Sequence, residues 1–153
     1  MERQWTTSLR LPEELAERAS READSLGISF SDFVIHALDK ALGGEGDSSI
    51  LFLKNLAAWT EKTFDKSAFP EDVTLRVFHH VRDDAALKKE YDELVAGTDS
   101  EPSRVRITSL HRRVGLMVKR VLHAEVRGRS LPLDAREHLI QSHALLTPGE
   151  KKA

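Results

Sequence analysis

The sequence predicts a mainly α-helical protein that begins with one short β-strand and continues as helices. Three observations lead to this prediction. Apolar and polar side chains alternate in residues 4–11, apolar residues then recur at helical spacing, and glycine or proline separates the successive helical segments. A strand with no second strand near it in sequence leaves its backbone N–H and C=O groups without partners. Something outside residues 4–42 must therefore complete the strand.

The strand is predicted at residues 4–11 because alternate positions of a strand face opposite sides. One side would present Trp5, Thr7, Leu9 and Leu11, and the other Gln4, Thr6, Ser8 and Arg10. Pro12 follows directly, and proline is well suited to the first turn of a helix. The strand is therefore expected to lead straight into a helix.

Two amphipathic helices are predicted next. Gly27 provides a C-terminal stop for the first helix, and Ser29 with Asp32 resembles a capping box at the start of the second. Their apolar stripes are Leu15, Ala19, Ala23 and Leu26 on the first, and Phe30, Phe33, Val34, Ala37, Leu38, Ala41 and Leu42 on the second. The run GGEGD at 43–47 is expected to be a flexible junction between a domain at 1–43 and a domain at 48–153.

Residues 48–153 are predicted to be helical, without an internal repeat. Apolar residues at helical spacing indicate helices near 50–57, 73–81, 84–96 and 110–122. The stretch RGRSLPLD is expected to end the long helix, and a last short helix is expected after Asp134. This region has enough apolar periodicity to fold without a partner.

Composition and motifs exclude several classes of protein. The chain has no cysteine, which excludes disulfides, thiol catalysis and cysteine-ligated metals. No apolar stretch approaches the roughly 20 residues of a membrane span, and the N-terminus lacks the apolar core of a signal peptide. No P-loop, dinucleotide-binding turn, nucleophile elbow or zinc-protease motif is present, and the seven histidines form no facial pair. We therefore expect a cytoplasmic protein that is not an enzyme and has no cofactor or metal.

The stretch SLRLPEELAERASREADSLGISFSDFVIHAL resembles a ribbon–helix–helix DNA-binding domain, the family of the Arc and methionine repressors. The opening SLRLPEEL, the glycine and the SFSD helix start occur together in the family's order, and the resemblance covers residues 6–42. It implies that the lone strand pairs with its twin from a second copy as an antiparallel ribbon. The expected assembly is a homodimer, with higher oligomers of dimers on DNA.

The resemblance also implies which residues contact double-stranded DNA. The ribbon residues Thr6, Ser8 and Arg10 would enter the major groove. Arginine can donate two hydrogen bonds to guanine, and the serine and threonine hydroxyls can donate or accept.

The start of the second helix is the expected phosphate contact. Its residues Ser29, Phe30 and Ser31 would offer free backbone N–H groups to a DNA phosphate. Phe30 stands where members of the family often have a basic residue.

Charge is separated along the chain. Residues 1–42 carry eight acids and five bases, residues 83–101 seven acids and two bases, and residues 104–129 eight bases and one acid. The basic helix supplies a candidate second DNA contact at Arg112, Arg113, Lys119 and Arg120. The alternative is that these side chains pair with the acidic segment 83–101.

Together these features predict a sequence-specific DNA-binding protein. The expected role is a bacterial or mobile-element transcriptional repressor that binds palindromic DNA as a dimer at the nucleoid. One alternative is an accessory DNA-binding factor for plasmid transfer or partition. Another is an antitoxin whose protein partner, a toxin, binds the C-terminal region. Antitoxin tails are typically short and disordered alone, whereas residues 48–153 have the periodicity of a folded domain.

Overall fold

The computed structural model describes residues 5–96, 104–133, 139–140 and 142–149. Within them the chain is mainly helical, as predicted, with one two-stranded sheet near the C-terminus. The helices are α1 (Glu13–Leu26), α2 (Phe30–Ala41), α3 (Ser48–Thr63), α4 (Val73–Asp83), α5 (Ala85–Ala96) and α6 (Arg104–Val121). None of these helices combines the length and the apolar composition of a membrane span.

Residues 5–12 form no strand in the single chain. The Pro12 carbonyl accepts a hydrogen bond from Ala16 N–H at 3.0 Å. The backbone groups of the residues before it make no hydrogen bond to another described residue. Gln4 lies outside the described residues. A strand exists only beside a second strand, so one copy cannot display the expected ribbon. The ribbon–helix–helix arrangement therefore stays a prediction.

The turn between α1 and α2 fits closely against α6. Gly27 has φ +69°, the left-handed conformation that glycine adopts without steric cost. A Cβ at this position would lie 2.9 Å from both Arg113 O and Met117 N of α6. Ser29 Oγ then accepts from Asp32 N–H at 3.1 Å, which confirms the predicted cap of α2. Local geometry and close packing both require glycine at 27.

Side-chain hydrogen bonds hold the junction between α2 and α3. The buried His36 accepts from Asp47 N–H through Nδ1 at 2.8 Å, and Asp39 Oδ2 accepts from Gly46 N–H at 2.9 Å. Asp47 Oδ1 in turn accepts from Ser49 N–H at 2.9 Å and caps α3. The glycine run that was expected to be flexible is therefore fixed at its C-terminal end. The division into two domains there stays a prediction.

The core lies where α1, α3, α4 and α6 pack together. Its largest fully buried side chains include Ile50, Phe52 and Leu53 of α3 and Met117 of α6. The buried C-terminal end of α1 belongs to the same apolar cluster, through Ala23 and Leu26. Helix α6 is central because it packs against α1, α3, α4 and α5.

The C-terminal region is not wholly helical, so that part of the predicted fold class is wrong. Strand β1 (Ala124–Pro132) pairs antiparallel with β2 (Ser142–Pro148), with an irregular register between Arg127 and Leu131. Gly128 and Pro132 disfavour a helix in this stretch, while pairing satisfies its backbone groups.

The last short helix that the sequence predicted is not seen where the structure describes the chain. Leu139 lies in a bend, and neither it nor Ile140 is helical. Residues 134–138 and 141, on which the rest of this prediction falls, lie outside the described residues.

Candidate nucleic-acid interface

The N-terminal part of the chain leaves many large apolar side chains exposed. Leu38 is 56% exposed and Leu42 is 79% exposed, although both lie on the predicted apolar stripe of α2. We call the exposed leucines and isoleucine of this region the N-terminal apolar set: Leu9, Leu11, Leu15, Ile35, Leu38 and Leu42. In contrast, Ala23 and Leu26 at the end of α1 are buried in the core. The chain therefore packs the end of α1 and leaves the start of α1 and much of α2 uncovered.

The predicted base-reading residues lie in the segment that precedes α1. Thr6, Ser8 and Arg10 are all exposed, at alternate positions of a segment with no strand partner. Their side chains make no hydrogen bond or ion pair with another described residue. The hydroxyls and the guanidinium are thus available to a ligand.

The start of α2 has unused backbone donors. Ser29, Phe30 and Ser31 are exposed. The first intrahelical bonds begin with Asp32 N–H, which donates to Ser29 Oγ, and Phe33 N–H, which donates to Ser29 O at 3.1 Å. The N–H groups of Phe30 and Ser31 have no partner among the described residues, as expected for a free helix N-terminus. Such a terminus favours an anion.

Two of the four candidate basic residues of α6 are paired with acids of α1 and α2. Arg113 lies 3.5 Å from Asp32 Oδ2 and donates to Ser49 Oγ at 3.0 Å. Arg120 lies 3.6 Å from Asp24 Oδ1 and donates to the carbonyl of the same residue at 3.3 Å. The acidic partners of Arg113 and Arg120 therefore belong to α1 and α2. The excess of acids in residues 1–42 was the only feature of the sequence that indicated these ion pairs.

The acidic segment 83–101 is not the partner of these four residues where the structure describes it. Asp83 pairs with Arg82, and Asp92 pairs with Lys88 on its own helix. The other two basic residues of the set, Arg112 and Lys119, line a cleft between α6 and the sheet. The structure thus separates the four residues into a pair facing α1 and α2 and a pair facing the cleft.

Arg113 changes the electrostatics at the start of α2. The Asp32 carboxylate lies in the first turn, where it stabilises the helix but would repel a phosphate bound to the free N–H groups. The guanidinium of Arg113 beside it offsets this charge. A basic group is thus present close to the helix start even though residue 30 is a phenylalanine.

The comparisons with known proteins found no match, whether with protein-family models, curated proteins or solved structures. Among the residues that the structure describes, no cluster of three or more histidine or acidic side chains is placed to hold a metal ion. The functional argument consequently rests on the residues of this chain.

Proposed function

We propose that the protein is a sequence-specific DNA-binding protein that acts as a ribbon–helix–helix homodimer. The observation that carries the proposal is the N-terminal apolar set, which remains exposed beside a segment with unpaired backbone groups. Exposed apolar residues in this number are typical of interaction surfaces, and unpaired strands tend to pair with another chain. A second copy would cover the N-terminal apolar set and would pair with the backbone of residues 5–11 to form the ribbon.

In this proposal the outer side of the ribbon reads the DNA sequence. Thr6, Ser8 and Arg10 occupy alternate positions of the segment, so strand pairing would place all three on one face of the ribbon. Six such side chains from two copies would face the major groove. The two-fold symmetry of the dimer predicts a palindromic site.

The proposed phosphate contact is the start of α2. It is supported by the free N–H groups of Phe30 and Ser31 and by the pairing of Arg113 with Asp32. The role of Arg113 is then to offset an acid rather than to contact DNA itself. Arg120 is paired with Asp24, so Arg112 and Lys119 remain the candidates for a backbone contact of their own.

The biological role that we propose is a transcriptional repressor of a bacterium or mobile element. Most of the buried apolar cluster comes from α3 to α6, which supports this role over that of an antitoxin with a tail that needs a toxin to fold. Transfer or partition accessory factors use the same DNA chemistry. A map of the DNA sites that the protein occupies in the cell, together with the genes beside those sites, would distinguish a repressor from a transfer or partition factor.

The test is selection of bound sequences from randomised duplex DNA with the full-length protein. We expect enrichment of an inverted repeat at physiological salt. Arg10→Ala should weaken binding to that repeat by about 1–3 kcal/mol per lost base contact. The matched control is Arg21→Ala, because Arg21 is an exposed arginine of α1 that pairs only with Glu17 among the described residues. Failure to enrich any sequence, or equal affinities of the two variants for the repeat, would refute the proposal.

A further inference from the structure

A cleft of about 1020 Å³ lies between α4, α5, α6 and the C-terminal sheet. Its apolar walls come from several elements: Phe78 of α4, Ile107 and Leu116 of α6, Val126 of β1, and Leu139 with Ile140. Gly115 of α6 also lines it, and a Cβ at this position would meet nothing within 4 Å. Its size reaches the upper end of typical small-molecule sites.

Three ring side chains that carry polar groups line this cleft: Tyr91, His111 and His143. The Tyr91 hydroxyl lies 2.7 Å from His111 Nε2. His143 of β2 is only 6% exposed, and its Nδ1 has no hydrogen-bond partner among the described residues. A buried polar nitrogen without a partner is unfavourable, so a polar ligand group at this place would stabilise the site.

Burial changes the titration of two of these groups. It raises the pKa of Tyr91 to about 12 and lowers the pKa of His111 below its ordinary value. Both groups are therefore neutral near pH 7. The positive charge of the cleft comes from other residues.

Three basic residues of α6 line the cleft: Arg104, Arg112 and Lys119. No aspartate or glutamate is present among the described residues of the lining. The excess of cations among the described lining residues attracts anions, and the apolar walls favour a ligand with an apolar body.

We propose that this cleft binds a small amphipathic organic anion, with a single carboxylate or phosphate head group and an apolar body. The cations of α6 provide charge complementarity for the head group, and the unpartnered nitrogen of His143 provides a hydrogen bond. Phe78, Leu116 and Ile140 cover the body. The proposal is independent of DNA binding.

The first experiment compares ligands that share one apolar chain. Octanoate, octyl phosphate, octanol and octylammonium are titrated into the full-length protein by calorimetry. The NMR signals of isotope-labelled tyrosine are followed in parallel, because Tyr91 is the only tyrosine of the chain. We expect octanoate or octyl phosphate to bind about tenfold more tightly than octylammonium, and the tighter of the two identifies the head group. Equal affinity for the anion and the cation would overturn the proposal.

Two variants show where the anion binds. Gly115→Leu should fold, because leucine favours a helix and the space at this position is open, and it should weaken octanoate binding by narrowing the cleft. The double variant Arg112→Ala/Lys119→Ala should weaken octanoate binding about tenfold and leave octanol binding unchanged. Arg18→Ala/Lys62→Ala, which removes the same charge at exposed positions outside the lining, should bind octanoate normally. Undiminished octanoate binding by Gly115→Leu would place the ligand elsewhere, such as the N-terminal apolar set, and overturn the proposal.

Discussion

Substitution of Leu38 by alanine should weaken the dimer without unfolding the single chain. Leu38 lies on α2 and is 56% exposed, so its side chain contributes little to the packing of one copy. In the proposed dimer it is covered by the second copy. The substitution therefore separates association from folding.

The structure sets the size of the effect. Leucine to alanine removes three carbons, worth about 2.4 kcal/mol when fully buried at roughly 0.8 kcal/mol per carbon. Dimerisation can bury only the exposed 56% of Leu38. The variant should lose about 1.3 kcal/mol per copy, or about 2.6 kcal/mol per dimer, which corresponds to a roughly 80-fold larger dissociation constant.

The assay is sedimentation equilibrium of fluorescently labelled protein over a wide dilution series. Val105→Ala is the control, because Val105 is 78% exposed on α6 and outside the N-terminal apolar set. It should leave the dimer constant unchanged, and circular dichroism should show that both variants keep their helices. The reasoning is refuted by an unmodified protein that remains a folded monomer at micromolar concentration, or by equal constants for the two variants.

Three further predictions follow from the geometry. Gly27→Ala should lower the melting temperature far more than Gly128→Ala: both glycines have positive φ, but only a Cβ at 27 would collide with α6. A similar loss in both would show that the backbone conformation alone matters. Absorbance titration of the single tyrosine should give a midpoint of about 12. Because folding raises the pKa of Tyr91, this residue contributes to the free energy of unfolding below its ordinary pKa of 10.0, and the contribution is lost as pH rises from there toward 12. A titration midpoint near 10.0 would contradict this prediction. Arg113→Gln should weaken DNA binding, because the acid at the start of α2 is no longer offset, whereas Arg120→Gln should not. Each should lower stability by only about 0–1 kcal/mol in thermal denaturation, and equal DNA affinities would contradict the role of Arg113.

The helices of the N-terminal region could be predicted because their boundaries are determined locally. Pro12, Gly27 and Ser29 act through the conformation or hydrogen bonding of their own turn, and the structure places both ends of α1 and the start of α2 at these residues. The sequence also predicted which leucines form apolar stripes. It did not show which stripe a single chain would bury.

The sheet and the cleft could not be predicted because they depend on contacts between distant residues. Val126 and Leu146 become neighbours only when β1 and β2 pair, and neither short segment has a strong pattern of its own. Similarly, Tyr91, His111 and His143 line the same cleft from three separate elements. The ion pair of Arg113 with an acid of α2 was also hidden, since opposite charge in two segments does not show that the segments pack together.

Helix α6 contacts both the cleft beside the C-terminal sheet and the turn between α1 and α2, which are far apart in sequence. One side of it lines the cleft, and its backbone at Arg113 and Met117 lies against the turn at Gly27 without room for a methyl group. Because close-packed groups do not yield independently, a shift of α6 would carry the turn and the start of α2 with it. If both proposals hold, an occupant of the cleft that displaces α6 would therefore change the affinity for DNA, and by thermodynamic linkage DNA would change the affinity of that occupant by the same factor.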